Sequence, residues 1–377
     1  MWNFQHLSRI DFRTIPVLIG LMVMSLLVIS ATTCETWDKA EESFFTPFVV
    51  NQIKWYGIGS IVYLFFAAFD YRQLRKWSFF LYVVTVIMLF GLFFADPIQN
   101  VQRWYRIPGL GFTFQPSEYA KLFVVITLSW FLERKAQVIE SNKTAWQAII
   151  IVAIPFFLIL KQPDLGTALV LFPIALVMFY FGGIKKRFVV TMSLMAAIGV
   201  FFISLIFLGI VSHEEIKPYV TTVIKEYQYE RLNPNTYHQK ASQTALALGG
   251  GLGSGWRNSD FTGRQWLPAA HTDSVFAAFG EEFGLVGVLF MLVLFFGLIY
   301  YSFQVAAVAK DRFGRLLSAG ITVYLVMHMI VNMGMMCGFL PITGVPLVLI
   351  TYGGSSILST MTALGIIQSI YSRRFMF

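Results

Sequence analysis

Residues 284–306 read GLVGVLFMLVLFFGLIYYSFQVA, 23 residues without one charged side chain. A helix rises about 1.5 Å per residue, so roughly 20 apolar residues cross the hydrocarbon core of a bilayer. Lipid offers no hydrogen bonds to unpaired backbone, so such a run resolves as a helix that satisfies its own amides. The same reading, carried outward, gives ten spans: 14–31, 49–69, 77–95, 117–132, 146–160, 167–183, 188–210, 284–306, 316–335 and 347–370. The fourth to sixth are short and polar at their edges. Composition agrees, with 57% of the 377 residues apolar and 13% charged, against roughly 45–50% and about 25% in a soluble domain. A soluble enzyme, a disordered chain and a coiled coil are excluded. A disulfide-stapled fold is excluded too, because Cys34 and Cys337 are the only cysteines. The expected fold is an all-α polytopic membrane protein, one domain over 1–377.

Ten spans place both termini on the same side. Short loops on that side, including Arg72-Gln73-Leu74-Arg75-Lys76 and Lys185-Lys186-Arg187, hold 16 of the 28 Lys and Arg residues. Basic loops mark the cytoplasmic side, so both termini are cytoplasmic and the net charge of +8 reflects membrane orientation rather than nucleic-acid binding. Arg9 and Arg13 precede the first span, and Ala31-Thr32-Thr33-Cys34 follows it as a poor match to a lipoprotein site; the span is read as retained. The polar segment 211–283, between the seventh and eighth spans, then lies outside. It carries Trp256, Trp266 and many glycines and is expected to fold over the outer membrane surface, since loops this long are usually functional or disordered.

Three stretches interrupt the apolar pattern at a cost in free energy. Arg103-Trp104 is followed by Phe114-Gln115-Pro116-Ser117-Glu118 and Lys121 at the outer start of the fourth span. Glu118 and Lys121, three apart, share a helix face and can pair; the plain alternative is a helix cap with an interfacial ion pair. Ionisable groups at membrane depth point to function by default. Lys161-Gln162-Pro163-Asp164-Leu165-Gly166-Thr167 is a turn, but a turn alone does not explain Lys161 together with Asp164. Lys121 is expected to pair with Asp164 or Glu118 in a buried network, the alternative being that it snorkels to the interface. The outer segment holds Gly249-Gly250-Gly251-Leu252-Gly253-Ser254-Gly255, then Leu267-Pro268-Ala269-Ala270-His271-Thr272-Asp273-Ser274, then Glu281-Glu282. The glycine run fits neither phosphate-loop spacing, so a nucleotide site is rejected. The five histidines show no ligand spacing and G-x-S-x-G is absent, which argues against a zinc site and a serine hydrolase.

Taken together, Arg103-Trp104, Gln115-Pro116-Ser117-Glu118 with Lys121, Gln162 to Thr167, Tyr237-His238 through the glycine run, His271-Thr272-Asp273, and Pro341-Ile342-Thr343-Gly344-Val345-Pro346 with Tyr352-Gly353-Gly354-Ser355-Ser356 resemble the SEDS family (shape, elongation, division and sporulation). The stretches follow the family's order over nearly the whole chain. Thr343 to Pro346 and Asn233-Pro234 to Tyr237-His238 favour its elongation branch over its division branch. The chain departs from the family pattern at Ala269, where an acidic residue is usual, and at Ser274, where an aromatic is usual.

The resemblance implies a peptidoglycan glycosyltransferase of the bacterial cytoplasmic membrane that polymerises lipid II during elongation. It also implies a class B penicillin-binding transpeptidase partner and other elongation-complex membrane proteins. An alcohol is a poor nucleophile, so a carboxylate that takes its proton helps by roughly 10²–10⁴; Asp273 is that candidate, acting as base or as the orienting carboxylate. Arg103 and Lys121 are candidates to meet the leaving diphosphate, and Glu118, Lys161, Asp164, His271 and Thr272 complete the expected substrate-binding set. A divalent cation (Mg or Mn) is admitted and no nucleotide is. The structural alternative for Asp273 is an N-cap of the helix that begins near Ser274, with Glu281 and Glu282 as reserve candidates. A lipid II flippase is the main rival function, because polar residues in interrupted spans also mark transporters, and a non-catalytic scaffold is a third. The small-residue faces of 316–335 and 347–370 are the expected docking surface for the partner.

The orientation has a direct test. With Cys34 and Cys337 replaced by Ser, a cysteine introduced at Asn258 should react with a membrane-impermeant thiol reagent on intact spheroplasts. Protection there, with labelling near the C-terminus instead, contradicts the assignment.

Overall fold

The computed structural model describes residues 4–34, 43–97, 101–107, 112–221 and 229–375. Ten long helices are found where apolar runs were read: α1 Thr14–Thr32, α2 Pro47–Ala68, α3 Leu74–Gly91, α4 Pro116–Arg134, α5 Asn142–Lys161, α6 Leu165–Gly182, α7 Lys186–Phe207, and, after the outer segment, α11 Val275–Val308, α12 Arg312–Met336 and α13 Gly354–Ser372. The outer segment itself carries α8 His213–Val220, α9 Tyr237–Gly249 and α10 Asp260–Gly263, and residues 222–228 of it lie outside the described residues. A short hairpin, β1 Tyr105–Ile107 with β2 Phe112–Phe114, precedes α4.

Seven of the long helical segments are long and apolar enough to cross a membrane by length and composition among the described residues. The other three, α2, α4 and α13, fall short because they carry polar side chains that bond inside the protein. Gln52 Nε2 on α2 donates to Tyr56 Oη at 3.1 Å, and Tyr56 Oη donates to the Leu349 carbonyl at 2.6 Å. Gln368 on α13 accepts from the Asp11 amide at 2.8 Å and donates to Thr14 Oγ1 at 3.1 Å. α13 lies against α2, and α4 and α12 run through the middle of the assembly. α7 is the opposite case, with 11% of its apolar window buried.

Local sequence sets the helix ends. Thr46 caps α2 through its hydroxyl, with Pro47 in the first turn, and Pro116 opens α4; proline is tolerated there because the first amides have no helical partner. Gly183, at φ +79°, closes α6 in the left-handed conformation that glycine adopts without steric cost.

Two boundaries differ from the sequence reading. The eighth span begins at Val275 rather than 284, and its helix breaks at Gly284 (φ 60°, ψ −165°). The break frees backbone groups on both sides, and the glycine run satisfies them. Ser254 and Gly255 amides donate to the Glu281 and Glu282 carbonyls at 2.9 and 3.0 Å, while Leu285 and Val286 amides donate to Gly250 and Gly251 at 3.0 and 3.1 Å. A Cβ at Gly253 would stand 2.3 Å from the Glu282 carbonyl oxygen, so the glycines permit a backbone-to-backbone approach. The last span begins at Gly354, because 347–353 is irregular and mostly buried. Irregular backbone is tolerated at such depth only where protein surrounds it, and here Ser25 Oγ donates to the Ile350 carbonyl at 2.7 Å and the Tyr352 amide to His271 at 3.1 Å.

The small-residue faces expected to dock a partner are turned inward. A Cβ on Gly320 would meet Val125 at 2.6 Å and one on Gly365 the Tyr63 carbonyl at 2.6 Å, and 78% of the α12 window is buried. Those residues bring this chain's own helices together.

Gly284→Ala adds about 1–3 kcal/mol of backbone strain and a Cβ 2.3 Å from the Gly253 amide nitrogen. It should lower the thermal unfolding midpoint of the detergent-purified protein clearly. Gly57→Ala on α2, with open space around its Cβ, should not. Equal midpoints for Gly284→Ala and the wild type contradict this account of the break.

Candidate active site on the outer face

The turn before α11 is closed by Ala269, whose left-handed backbone (φ 51°) lets its carbonyl accept from the Thr272 amide at 3.0 Å and the Ser274 amide at 3.1 Å. This presents Asp273 between two other segments. Asn332, fully buried on α12, donates through Nδ2 to the Asp273 carbonyl at 3.1 Å and to the Val345 carbonyl at 2.8 Å. A Cβ built on Gly344 would stand 3.3 Å from Asp273 Oδ2. The carboxylate therefore lies against the 343–346 backbone, in a half-buried position.

Among the described residues no hydrogen bond reaches the Asp273 carboxylate, so it caps no helix. Burial pushes its pKa up, while His238, Arg103 and Arg231 pull it down and Asp164 adds a further upward push. His238 Nε2 is 2.6 Å from Ser274 Oγ, so the serine that departs from the family pattern fixes the imidazole beside Asp273. Burial lowers the pKa of His238 and also that of His271. His271 lies between Phe48 (ring centroids 5.0 Å apart) and Tyr352 (5.9 Å), and Thr272 Oγ1 donates to the Ala269 carbonyl at 3.3 Å. These two neighbours shape the turn.

Asp164 and Arg103 are brought close enough to Asp273 to act on its charge, but each is already bonded. Asp164 accepts from Ser117 Oγ and Thr167 Oγ1 at 3.0 Å, Gln115 Nε2 at 3.2 Å and the Thr167 amide at 3.3 Å; it is the N-cap of α6. Arg103 donates to the Gln162 carbonyl at 3.2 Å and also to the Pro163 carbonyl, which ties the 101–107 segment to that turn.

Lys121 is 0% exposed and Glu118 2%. Lys121 Nζ donates to Glu118 Oε1 at 2.7 Å and lies 2.7 Å from His328 Nε2. Of the two expected partners Glu118 is the one it bonds; Asp164 is held by the hydroxyls and amides above. A charged ammonium can only donate, so His328 accepts at Nε2, carries its proton on Nδ1 and donates to the Pro346 carbonyl at 3.1 Å. The network thus supports the same 343–346 loop that flanks Asp273. Lys161 is exposed, at the end of an apolar groove lined by Phe90, Ile154 and Phe157.

The reserve carboxylates hold structure. Glu281 accepts from Phe261 and Thr262 amides at 2.9 and 3.0 Å and from Thr262 Oγ1 at 2.5 Å, and Glu282 from the Arg257 amide and Ser259 Oγ. Sequence reading missed Asn332, His328 and Arg231 as site neighbours. His238 belongs to a family stretch without a role of its own there, and none of the four carries a local pattern that reveals its partner. No three His, Cys, Asp or Glu side chains converge on a possible metal among the described residues.

Comparison with known proteins follows this geometry. The family model described as cell cycle protein, FtsW/RodA/SpoVE, matches residues 12–374. The chain is 32% identical to the peptidoglycan glycosyltransferase MrdB of Escherichia coli K12, over 99% of this chain and 95% of that protein. It is 28% identical to a probable peptidoglycan glycosyltransferase FtsW of Geobacter metallireducens, over 98% and 97%. In fold it is similar to a chain of a peptidoglycan synthase complex that coordinates polymerization and crosslinking (TM-score 0.76, 24% identity, covering 98% and 99%). It is similar too to the rod shape determining protein RodA of Thermus thermophilus (TM-score 0.70, 22% identity, covering 98% of each chain).

Removing one member of a buried ion pair strands the other, at about 3–5 kcal/mol. Lys121→Met should therefore lower the unfolding midpoint more than Lys121→Met combined with Glu118→Met. A double variant that loses the sum of the two single losses contradicts the pairing.

Proposed function

Because the chain belongs to the FtsW/RodA/SpoVE family of cell cycle proteins, we propose that Asp273 is the base of a lipid II polymerisation reaction. The chain is a multi-pass membrane peptidoglycan glycosyltransferase. Its proposed role is strand synthesis during elongation at the bacterial cytoplasmic membrane, with the site on the outer face. One observation carries the assignment of the base. Asp164, Glu118, Glu281 and Glu282 are all engaged by hydrogen-bond donors or a lysine, whereas the Asp273 carboxylate has its lone pairs open among the described residues.

In the proposed step the C4 hydroxyl of an acceptor GlcNAc attacks the anomeric carbon of a lipid-linked MurNAc. The new C–O bond forms as the bond to the diphosphate oxygen breaks, with inversion, and that electron pair leaves on undecaprenyl diphosphate. The hydroxyl proton passes to Asp273. Arg103 and Arg231, which already act on the Asp273 charge, are the cations assigned to the leaving group. Lys121 lies buried beneath the site and is assigned to hold the 343–346 loop through His328. The divalent cation admitted by the resemblance would have Asp273 as its one open carboxylate ligand, with water and substrate phosphate supplying the rest as is common for Mg²⁺. No step is routed through it. A class B penicillin-binding transpeptidase is the proposed partner, in keeping with the synthase-complex chain that shares the fold.

An amide cannot accept the hydroxyl proton. Asp273→Asn, expressed and partnered normally, should polymerise lipid II in detergent about 10²-fold or more slowly than the wild type. Because burial raises the Asp273 pKa and the base works deprotonated, the wild-type rate should climb with pH through a point above about 3.9, the ordinary aspartate value. Wild-type turnover by Asp273→Asn contradicts the assignment.

A further inference from the structure

A second site lies at the opposite, cytoplasmic end of the bundle, in a cleft of about 520 Å³ between α6, α11 and α12. Phe181, Phe303 and Ala306 line its apolar part, and Arg312 and Arg315 stand at one end. Phe181 sits on the last turn of α6 and Phe303 and Ala306 on the last two turns of α11, while the arginines are on the first turn of α12. At about 1.5 Å of rise per residue, the apolar wall reaches roughly 8 Å inward from the end of α11. The cleft therefore runs from the apolar part of the bundle to its basic cytoplasmic end.

The acids of this face do not answer these arginines. Asp311 accepts from Tyr71 Oη at 2.6 Å and from Arg75. Glu133 pairs with Arg75 Nε at 2.8 Å and accepts from the Phe313 amide at 3.2 Å. Arg312 donates to the Gly182 carbonyl at 2.6 Å. Arg315 is exposed, and among the described residues no carboxylate forms an ion pair with Arg312 or Arg315. Two guanidinium groups thus face one end of an apolar cleft that opens to lipid, at the side where basic residues meet anionic headgroups.

We propose that this cleft binds the phosphate of an anionic phospholipid of the cytoplasmic leaflet, with Arg312 and Arg315 on the phosphate and the acyl chains along Phe181, Phe303 and Ala306. A guanidinium presents paired donors that match phosphate oxygens. A partner helix would instead have to bring a buried acid to the same point, whereas an anionic phospholipid brings a phosphate whose charge no ammonium of its own headgroup balances, as that of phosphatidylcholine does.

The test uses purified full-length protein in nanodiscs of phosphatidylcholine, with or without phosphatidylglycerol. Phosphatidylglycerol should raise the thermal unfolding midpoint of the wild type by several degrees, as a ligand specific to the folded state does. The rise should vanish in Arg315→Gln, whose side chain holds no structural bond, and in Ala306→Trp, which fills the cleft. It should persist in Arg187→Gln, an exposed basic residue on the first turn of α7. Glycosyltransferase activity of Arg315→Gln in phosphatidylcholine should equal that of the wild type. An unchanged rise in Arg315→Gln overturns the proposal, as does an equal loss in Arg187→Gln. A full rise from inorganic phosphate alone also overturns it, and so does a protein rather than a lipid captured by a photocrosslinker at Ala306.

Discussion

Water is scarce at the depth where most of this chain folds, so each backbone or charged group that leaves a helix must find its partner inside the protein. The break at Gly284 and the glycine run at 249–255 are two halves of one solution. Four amides and four carbonyls change partners across that contact, and only backbone without side chains can come so near. The irregular 343–353 segment obeys the same constraint through Asn332, His328, Tyr56 and Ser25, which come from three different helices. Unsatisfied polar groups in hydrocarbon are costly enough that these contacts fix where both outer loops lie.

Against that background the Asp273 carboxylate is an exception. The turn carrying it is bound at its backbone by Asn332 and shaped by Ala269, so its position is set without using the carboxylate itself. Its neighbours act on its charge instead. Burial favours the protonated acid, and His238, Arg103 and Arg231 favour the carboxylate. A group balanced in this way can take a proton from an alcohol and give it up again, which a carboxylate bound by four donors, such as Asp164, cannot do without losing the N-cap of α6.

Much of this was legible in the chain. The ten apolar runs and the basic loops between them follow from bilayer thickness and charge placement, and the helices sit within a few residues of the expected bounds except at the starts of α11 and α13. The start of α11 was hidden because Glu281 and Glu282 make 275–283 look polar, and only the fold shows that the 254–262 loop neutralises them. Glu118 was readable as a partner of Lys121 from its three-residue spacing, but His328 lies 207 residues away and no local pattern points to it. Small residues in 316–335 and 347–370 suggested a docking face. The same pattern serves contacts within a chain equally well, and Gly320 and Gly365 show that it does so here.

The central claim is that Asp273 is held in this environment for chemistry at a cost to the fold. Its folded-state pKa is raised, so the stability that the protonated acid contributes is present below the unfolded pKa and is lost as pH rises through the folded value. Where the carboxylate is ionised, its buried charge is therefore unfavourable to folding. Thermal unfolding of Asp273→Asn and the wild type, side by side in the same detergent at pH 7, tests this most directly. The account predicts a higher midpoint for Asp273→Asn, and a lower one would show that the carboxylate holds the structure together.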